Sequence, residues 1–178
     1  LYQKNPEEFI AKVAKLIVGE KAAMVVDHVE YHAIDDEYDT TIFTERMPKN
    51  ASSALPSKKG IQDYVFPDSD GEAGLAADLD AADEVEVYAK LPRTFAIPTP
   101  VGNYAPDWAI AFKRGSVKHV YFVAETKGTL DTLELRGVED AKIACAKKLF
   151  NEASTTGVRY HEVTNYGDLL ALVSGGMD

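Results

Sequence analysis

The sequence has very little cysteine and no long apolar run, and both absences limit what the protein can be. Cys145 is the single cysteine among 178 residues, so an internal disulfide and a cysteine-ligated zinc cluster are excluded. No stretch reaches the roughly 18 consecutive apolar residues of a membrane helix. The N-terminal LYQKNPEEF lacks the basic and apolar segments of a signal peptide. We therefore predict a cytoplasmic protein with no membrane partner.

Positive charge is also scarce. The chain has 19 Lys and Arg against 29 Asp and Glu, a net charge of -10, which argues against strong autonomous binding to nucleic acid because phosphate contacts come from Lys and Arg. The distribution is uneven, since residues 1–89 carry 19 acids and 8 bases whereas residues 90–159 carry 7 acids and 11 bases. DNA could approach the second stretch, although such asymmetry is more often a solvated face.

Several familiar catalytic signatures are missing. The sequence has no GKS-type or GxGxxG phosphate loop, so any ATPase would lie outside this chain. His119 and His161 have no Ser or Cys in a recognisable nucleophilic arrangement. His28 and His32 fall four residues apart in a predicted strand, about 13 Å at the usual rise, which is too far for one metal ion. We interpret them as surface residues.

The pattern of apolar residues predicts an α/β chain. The N-terminal part is predicted to have a helix in NPEEFIAKVAKLIVGE, a long strand in KAAMVVDHVEYHAI, and a mostly irregular stretch over 35–60 with a short helix near 40–45. A short strand DYVF follows, and then a helix near 71–80 that is capped by Asp68 or Ser69. The remaining predicted elements are strands over 84–91, 106–113 and 118–127, a long helix VEDAKIACAKKLFNEA and a strand VRYHEV. A hairpin at KRGS joins two of the strands, and a crossover adds the last one. The predicted fold is a mixed β-sheet flanked by helices on both faces, with an N-terminal helix-strand extension.

Two predicted strands, YAPDWAIAF and YFVAETKG, are almost wholly apolar but carry charge at one end: Asp107 begins the first, and Glu125 and Lys127 end the second. An unpaired carboxylate taken out of water is costly, so these residues need water or a partner. Antiparallel pairing would place 107 opposite 123–125, where two carboxylates can hold a hard cation such as Mg²⁺. Lys127 shares a face with Glu125 and could orient or deprotonate an attacking water. Alternatively, Asp107 caps a turn after Pro106, and the other two form a solvated strand end.

These residues resemble a known superfamily. Pro106 and Asp107 followed by ETK at 125–127 are similar to the PD-(D/E)xK nuclease motif. The strings YAKLPRTFAIPTPVGNYAPDWAIAF, HVYFVAETKG and KIACAKKLF resemble the C-terminal endonuclease domain of the restriction (Res) subunit of type III restriction enzymes. Upstream, NPEEFIAKVAKLI, EYDTTIF and DSDGEAGLAADLD resemble the segment that links that family's helicase motor to its nuclease core. Nearly the whole chain is covered.

The resemblance implies a restriction-endonuclease-like fold and Mg²⁺-dependent cleavage of double-stranded DNA, with Mn²⁺ as a possible substitute. It also implies two partners, an ATP-driven motor domain in the same polypeptide and a modification methyltransferase subunit. Because the chain begins at Leu1 without an initiator methionine, we expect part of a longer polypeptide. Residues 1–67 would then form an extension that links to the motor, and residues 68–178 would form the nuclease core.

Carried over residue by residue, the resemblance implies that Asp107, Glu125 and the backbone carbonyl of Thr126 bind the metal and that Lys127 is the catalytic lysine. Glu72 is a further catalytic candidate, because this superfamily often adds a carboxylate from the helix before the first core strand.

Two residues have alternative interpretations that the sequence leaves open. Glu72 could instead be a solvent-facing helical residue, and Lys142 could face phosphate or be a surface lysine. Two other functions also stay open: a repair or resolvase-type nuclease on the same fold, and a non-catalytic docking module. An intact Asp107, Glu125 and Lys127 disfavour the docking module.

Overall fold

The computed structural model describes residues 5–26, 28–31, 54–113, 120–125, 133–153 and 158–175. The helices are α1 Pro6–Val26, α2 Asp70–Ala81, α3 Leu133–Lys147, which continues as a π-helical segment Lys148–Ala153, and α4 Tyr166–Gly175. The strands are β1 Leu55–Pro56, β2 Tyr64–Val65, β3 Val85–Lys90, β4 Trp108–Phe112, β5 Val120–Glu125 and β6 Val158–Val163. Within the described residues, no helix is long and apolar enough to cross a membrane.

The chain divides into two compact units, and each is built from segments that are distant in sequence. The first contains Leu1–Ala33, Ile97–Tyr104 and Lys127–Ala153, and the second contains Ile34–Ala96, Ala105–Thr126 and Ser154–Asp178. The predicted boundary between residues 67 and 68 stays a prediction.

The first unit is held together by α1 and α3. The helices approach closely where they have glycine, because a Cβ added at Gly137 would lie 3.6 Å from the Cα of Gly19. Val26, Ala141 and Cys145 form the buried core beside this crossing. The thiol is thus a small buried group, as its helical context predicted.

One sequence prediction fails in this unit. The sequence predicts a first helix that ends within NPEEFIAKVAKLIVGE, near Gly19, and a long strand that begins at Lys21, but α1 continues to Val26. The β-branched residues near its end therefore lie in a helix, where tertiary contact with α3 outweighs their strand preference. Residues 28–31 form a turn and irregular backbone, and His28 is exposed, as expected of a surface residue. His32 lies outside the described residues.

The second unit is a mixed sheet with two helices packed on one core. Its strand order is β3-β4-β5-β6: β4 is antiparallel to β3 and β5, and β6 is parallel to β5. The apolar side of α2 and α4 meets the strands in one hydrophobic core. That core includes Leu75, Leu79, Val85, Tyr88, Trp108, Ile110, Val163, Leu169 and Val173. The predicted α2, the antiparallel pairing of the two motif strands and the crossover to the last strand are confirmed.

The fold is therefore mixed α/β, while the finer restriction-endonuclease-like assignment stays a prediction. The irregular stretch also contains an element that the sequence pattern did not reveal, because β1 pairs with β2 in a small antiparallel sheet. The short helix predicted near 40–45 and the turn at KRGS fall largely or wholly outside the described residues.

Candidate active site

Asp107 lies at one end of the larger sheet, directly before β4. Pro106 beside it is fully buried, and the Leu91 N–H donates to the Asp107 carbonyl oxygen at 2.8 Å. In the ladder, Lys90 pairs with Trp108. The backbone of Asp107 is therefore fixed against the end of β3, and the side chain is half-buried.

The register of β4 and β5 brings Asp107 and Glu125 to the same end of neighbouring strands. Trp108 pairs with Val123, so Asp107 follows the ladder toward Ala124, and β5 ends at Glu125. On its other side, the Glu125 backbone pairs with Val163 of β6. The expected antiparallel alignment of the two motif strands is thus confirmed at the level of the backbone.

Most of the side chains of the predicted metal site lie outside the part of the chain that the structure describes. Thr126 and Lys127 lie outside the described residues, as does the side chain of Glu125. Among the residues that the structure does describe, no group of three or more His, Cys, Asp or Glu is arranged to hold a metal. The metal ligands and the catalytic lysine stay predictions.

Glu72 is not a solvent-facing helical residue, because only 1% of it is exposed. Ser69 caps α2 by accepting a hydrogen bond from the Glu72 N–H at 3.2 Å, which sets Glu72 on the first turn with its side chain directed inward. There Glu72 Oε2 accepts from Lys90 Nζ at 2.5 Å and from the Asp68 N–H at 2.5 Å. That alternative is therefore wrong, while a catalytic role for Glu72 stays a prediction.

Lys90 completes a cluster that sequence reasoning missed. Besides Glu72, its ammonium group contacts Asp68 Oδ2 at 2.8 Å and the Phe66 carbonyl oxygen at 3.1 Å. Strand alternation offered a signal, since Lys90 comes two residues after the buried Tyr88 and so falls on the core side of β3. A lysine in such a position needs an anionic partner, and the helix that precedes the strand supplies it.

A second polar cluster lies at the other end of α2. Asp80 Oδ1 accepts from the Ser57 hydroxyl at 2.7 Å and from the N–H groups of Lys58 and Lys59 at 2.8 and 2.9 Å. Burial raises the pKa of Asp80, but the hydrogen bonds from Lys59, Ser57 and Lys58 outweigh it and hold the pKa below its usual value. Burial also raises the pKa of Tyr88, which lies beside this cluster.

The remaining candidates lie in other surroundings. Lys142 Nζ is 3.6 Å from Glu139 Oε2 on the same helix, and its role stays open. Trp108, directly after Asp107, is fully buried. Tyr104, three residues before Asp107, is also buried.

Comparison with known proteins identifies the protein family to which the chain belongs. Residues 58–166 match the family model of an endonuclease domain. This segment contains Asp107, Glu125, Lys127 and the Glu72–Lys90 pair, and it covers more than half of the chain. The chain belongs to this endonuclease-domain family.

Two relatives relate the chain more narrowly to type III restriction enzymes. The EcoPI Res subunit of Escherichia phage P1, a type III restriction-modification enzyme, is 31% identical over 139 residues, which cover 70% of this chain and 14% of that protein. The EcoP15I Res subunit of Escherichia coli is 32% identical over 110 residues, 61% of this chain and 11% of that protein. The chain thus corresponds to a small part of these subunits. No solved structure matches it significantly.

Proposed function

We propose that this chain is the endonuclease domain of a type III restriction-modification enzyme and that it hydrolyses phosphodiester bonds of double-stranded DNA with metal-activated water. One observation carries the proposal. Inside the segment that matches the endonuclease family, β4 and β5 pair in a register that puts Asp107 and Glu125 at the same end of adjacent strands. Both residues stand at the end of an otherwise apolar strand, and this backbone alignment supports the proposal that their carboxylates share one metal ion.

The chemistry of the donors fits Mg²⁺, which prefers carboxylate and carbonyl oxygen and keeps several waters. In the proposed site Asp107, Glu125 and the Thr126 carbonyl would hold the ion, with Mn²⁺ as a substitute. When bound, the ion supplies charge stabilisation for the phosphate and lowers the pKa of a coordinated water. Lys127 would orient that water and offset the negative charge that develops on the phosphate oxygens.

Two observations support the proposed partners: the net charge of the chain, and the small share of the related Res subunits that the chain covers. With a net charge of -10, the chain should bind duplex DNA weakly alone, because few phosphate contacts are available for counterion release. We propose that a motor domain of the same polypeptide, which uses ATP, and a modification methyltransferase subunit supply DNA affinity and site selection. The proposed location of the assembly is the cytoplasm.

The test combines metal binding with DNA cleavage. Asp107→Ala, Glu125→Ala and Lys127→Ala should each abolish cleavage in the complete assembly while ATP hydrolysis and DNA binding persist, because these groups act on the transition state. In the chain alone, saturating Mg²⁺ at about 100 times its Kd should stabilise the parent by about 2.7 kcal/mol. The Asp107 and Glu125 variants should lose most of that gain. Glu86→Ala, an exposed carboxylate on β3, is the matched control and should behave like the parent.

Two results would favour other functions. A parent chain that binds neither Mg²⁺ nor Mn²⁺ and supports no cleavage would indicate a docking module. Cleavage confined to branched or flapped DNA would indicate a repair or resolvase-type nuclease. Normal cleavage by Asp107→Ala would contradict the proposed site itself.

A further inference from the structure

The three N–H donors of the Lys90 ammonium group are all accounted for in the structure. They meet Glu72 Oε2 at 2.5 Å, Asp68 Oδ2 at 2.8 Å and the Phe66 carbonyl oxygen at 3.1 Å, and an ammonium group has three donors to offer. Only 18% of the side chain is exposed. Lys90 is therefore arranged to hold protein groups and not to bind a DNA phosphate.

The carboxylate of Glu72 also has its hydrogen-bond partners within the protein. Its Oε2 accepts from both Lys90 and the Asp68 N–H, and the residue is 1% exposed. A buried carboxylate is stable only when a cation or several donors compensate its charge. Here Lys90 already supplies the compensation that a metal ion would otherwise have to provide.

This pair is connected to the proposed metal ligand through one strand. Lys90 pairs with Trp108 across the β3–β4 ladder, and the next residue, Leu91, donates its N–H to the Asp107 carbonyl at 2.8 Å. A displacement of the end of β3 would therefore move the backbone of Asp107. The ion pair ties that end of β3 to the first turn of α2.

We propose that Glu72 and Lys90 act as one positioning pair that fixes Asp107 for metal binding, and that Glu72 is not itself a metal ligand. The inference rests on the proposed nuclease function and refines one of its residues. Groups that orient a metal ligand typically change affinity or activity by about 10-fold to 100-fold when they are removed. They do so without contacting the ion.

The experiment is a double-mutant cycle on the full chain and on the assembly that contains it. Glu72→Gln, Lys90→Met and the double variant are compared by calorimetric titration with Mg²⁺ and Mn²⁺, by the Mg²⁺ concentration at half-maximal DNA cleavage, and by thermal melting. Asp107→Ala is the reference for a lost ligand. Tyr166→Phe is the matched control, because it removes a 3.3 Å hydrogen bond to the Glu84 carboxylate directly before β3, at the strand's other end.

We expect each single variant to raise the Mg²⁺ requirement by about 10-fold to 100-fold, and the double variant to be no worse than the more affected single variant, because residues that act as a unit are not additive. Tyr166→Phe should leave the requirement unchanged. Should Lys90→Met fail to fold, Glu72→Gln and the double variant, which leaves no buried unpaired charge, still decide the question. Equal metal requirements for those two, raised above the parent but short of the complete loss in Asp107→Ala, support the pair, whereas a loss as complete as in Asp107→Ala would make Glu72 a ligand.

Three outcomes would overturn the inference. If Glu72→Gln loses metal binding as completely as Asp107→Ala while Lys90→Met retains it, Glu72 is a ligand. If all three variants match the Tyr166→Phe control in metal requirement, the pair is only structural, and the proposed function is untouched. If the parent binds no metal and Asp107→Ala changes nothing, the proposed function fails and this inference fails with it.

Discussion

The two ends of α2 compensate an acidic side chain in different ways. At the first turn, Glu72 is fully buried and faces the cation of Lys90. At the last turn, Asp80 is half-buried and accepts hydrogen bonds from the hydroxyl and N–H groups of Ser57, Lys58 and Lys59. Both residues are acids on one twelve-residue helix.

The difference follows from burial and from the helix dipole. An acid is favoured at a helix N-terminus and disfavoured at the C-terminus, yet Glu72 still needs a full countercharge because it has lost its water. Asp80 keeps part of its water, so neutral donors suffice even against the dipole. The Glu72–Lys90 ion pair lies one strand away from Asp107, because Lys90 pairs with Trp108 across the β3–β4 ladder. The cluster around Asp80 instead fastens residues 57–59 to the end of α2.

The largest effect on stability should come from breaking the buried pair. Lys90→Met leaves the Glu72 carboxylate without its cation and should lower the free energy of unfolding by about 3 to 5 kcal/mol. The combined Glu72→Leu and Lys90→Met variant removes both charges and should recover most of this loss. Urea unfolding in the absence of metal measures both values. If Lys90→Met lowers the free energy of unfolding by less than Asp80→Ala does, Glu72 does not need its countercharge more than Asp80 needs its neutral donors.

At the other end of α2, Asp80→Ala should have a smaller effect that depends on pH. Loss of its hydrogen bonds should cost about 2 kcal/mol at neutral pH. Because the pKa of Asp80 is lowered in the folded state from its usual 3.8, its contribution is present above that value and is lost as the pH falls through the lower, folded value.

The measurement is the free energy of unfolding of parent and Asp80→Ala between about pH 7 and pH 2. The difference between them should shrink at the acidic end. A difference that stays constant with pH would mean that Asp80 contributes by packing and not by charge.

Part of this architecture could be predicted from the sequence because it is local. Ser69 as a cap, acids in the first turn and apolar residues at helical spacing predicted α2, and short apolar or alternating runs predicted β3 to β6. The register of the two motif strands followed from the short connection between them. These features depend on residues that are near one another in the chain.

The missed features depend on contacts that are distant in sequence. Helix α1 extends past Gly19 because α3 packs against it at Gly137, more than a hundred residues later. The link from Asp80 to Ser57 spans 23 residues. Lys90 was missed because β3 has an irregular register between Val85 and Val87, so alternation puts Lys90 on the core side only when it is counted from Tyr88 and not from Val85.

The smallest expected effects on stability come from two glycine-to-alanine substitutions, one within α2 and one in the loop that is hydrogen-bonded to Asp80 at the end of α2. A Cβ at Gly74, an exposed position within α2, would meet nothing within 4 Å. Gly74→Ala should therefore stabilise the protein by about 0.5 to 1 kcal/mol, since alanine loses less backbone entropy in a helix.

At Gly60 a Cβ would lie 2.7 Å from Ser57 Oγ and 2.9 Å from the Gln62 carbonyl oxygen. Gly60→Ala should therefore destabilise the protein by displacing the Ser57 hydroxyl from Asp80. Thermal melting of both variants, with and without the Asp80→Ala background, measures these effects. The Gly60→Ala penalty should shrink in that background, whereas the Gly74→Ala gain should persist. Equal penalties for Gly60→Ala in the two backgrounds would mean that the loop is held by contacts other than Asp80.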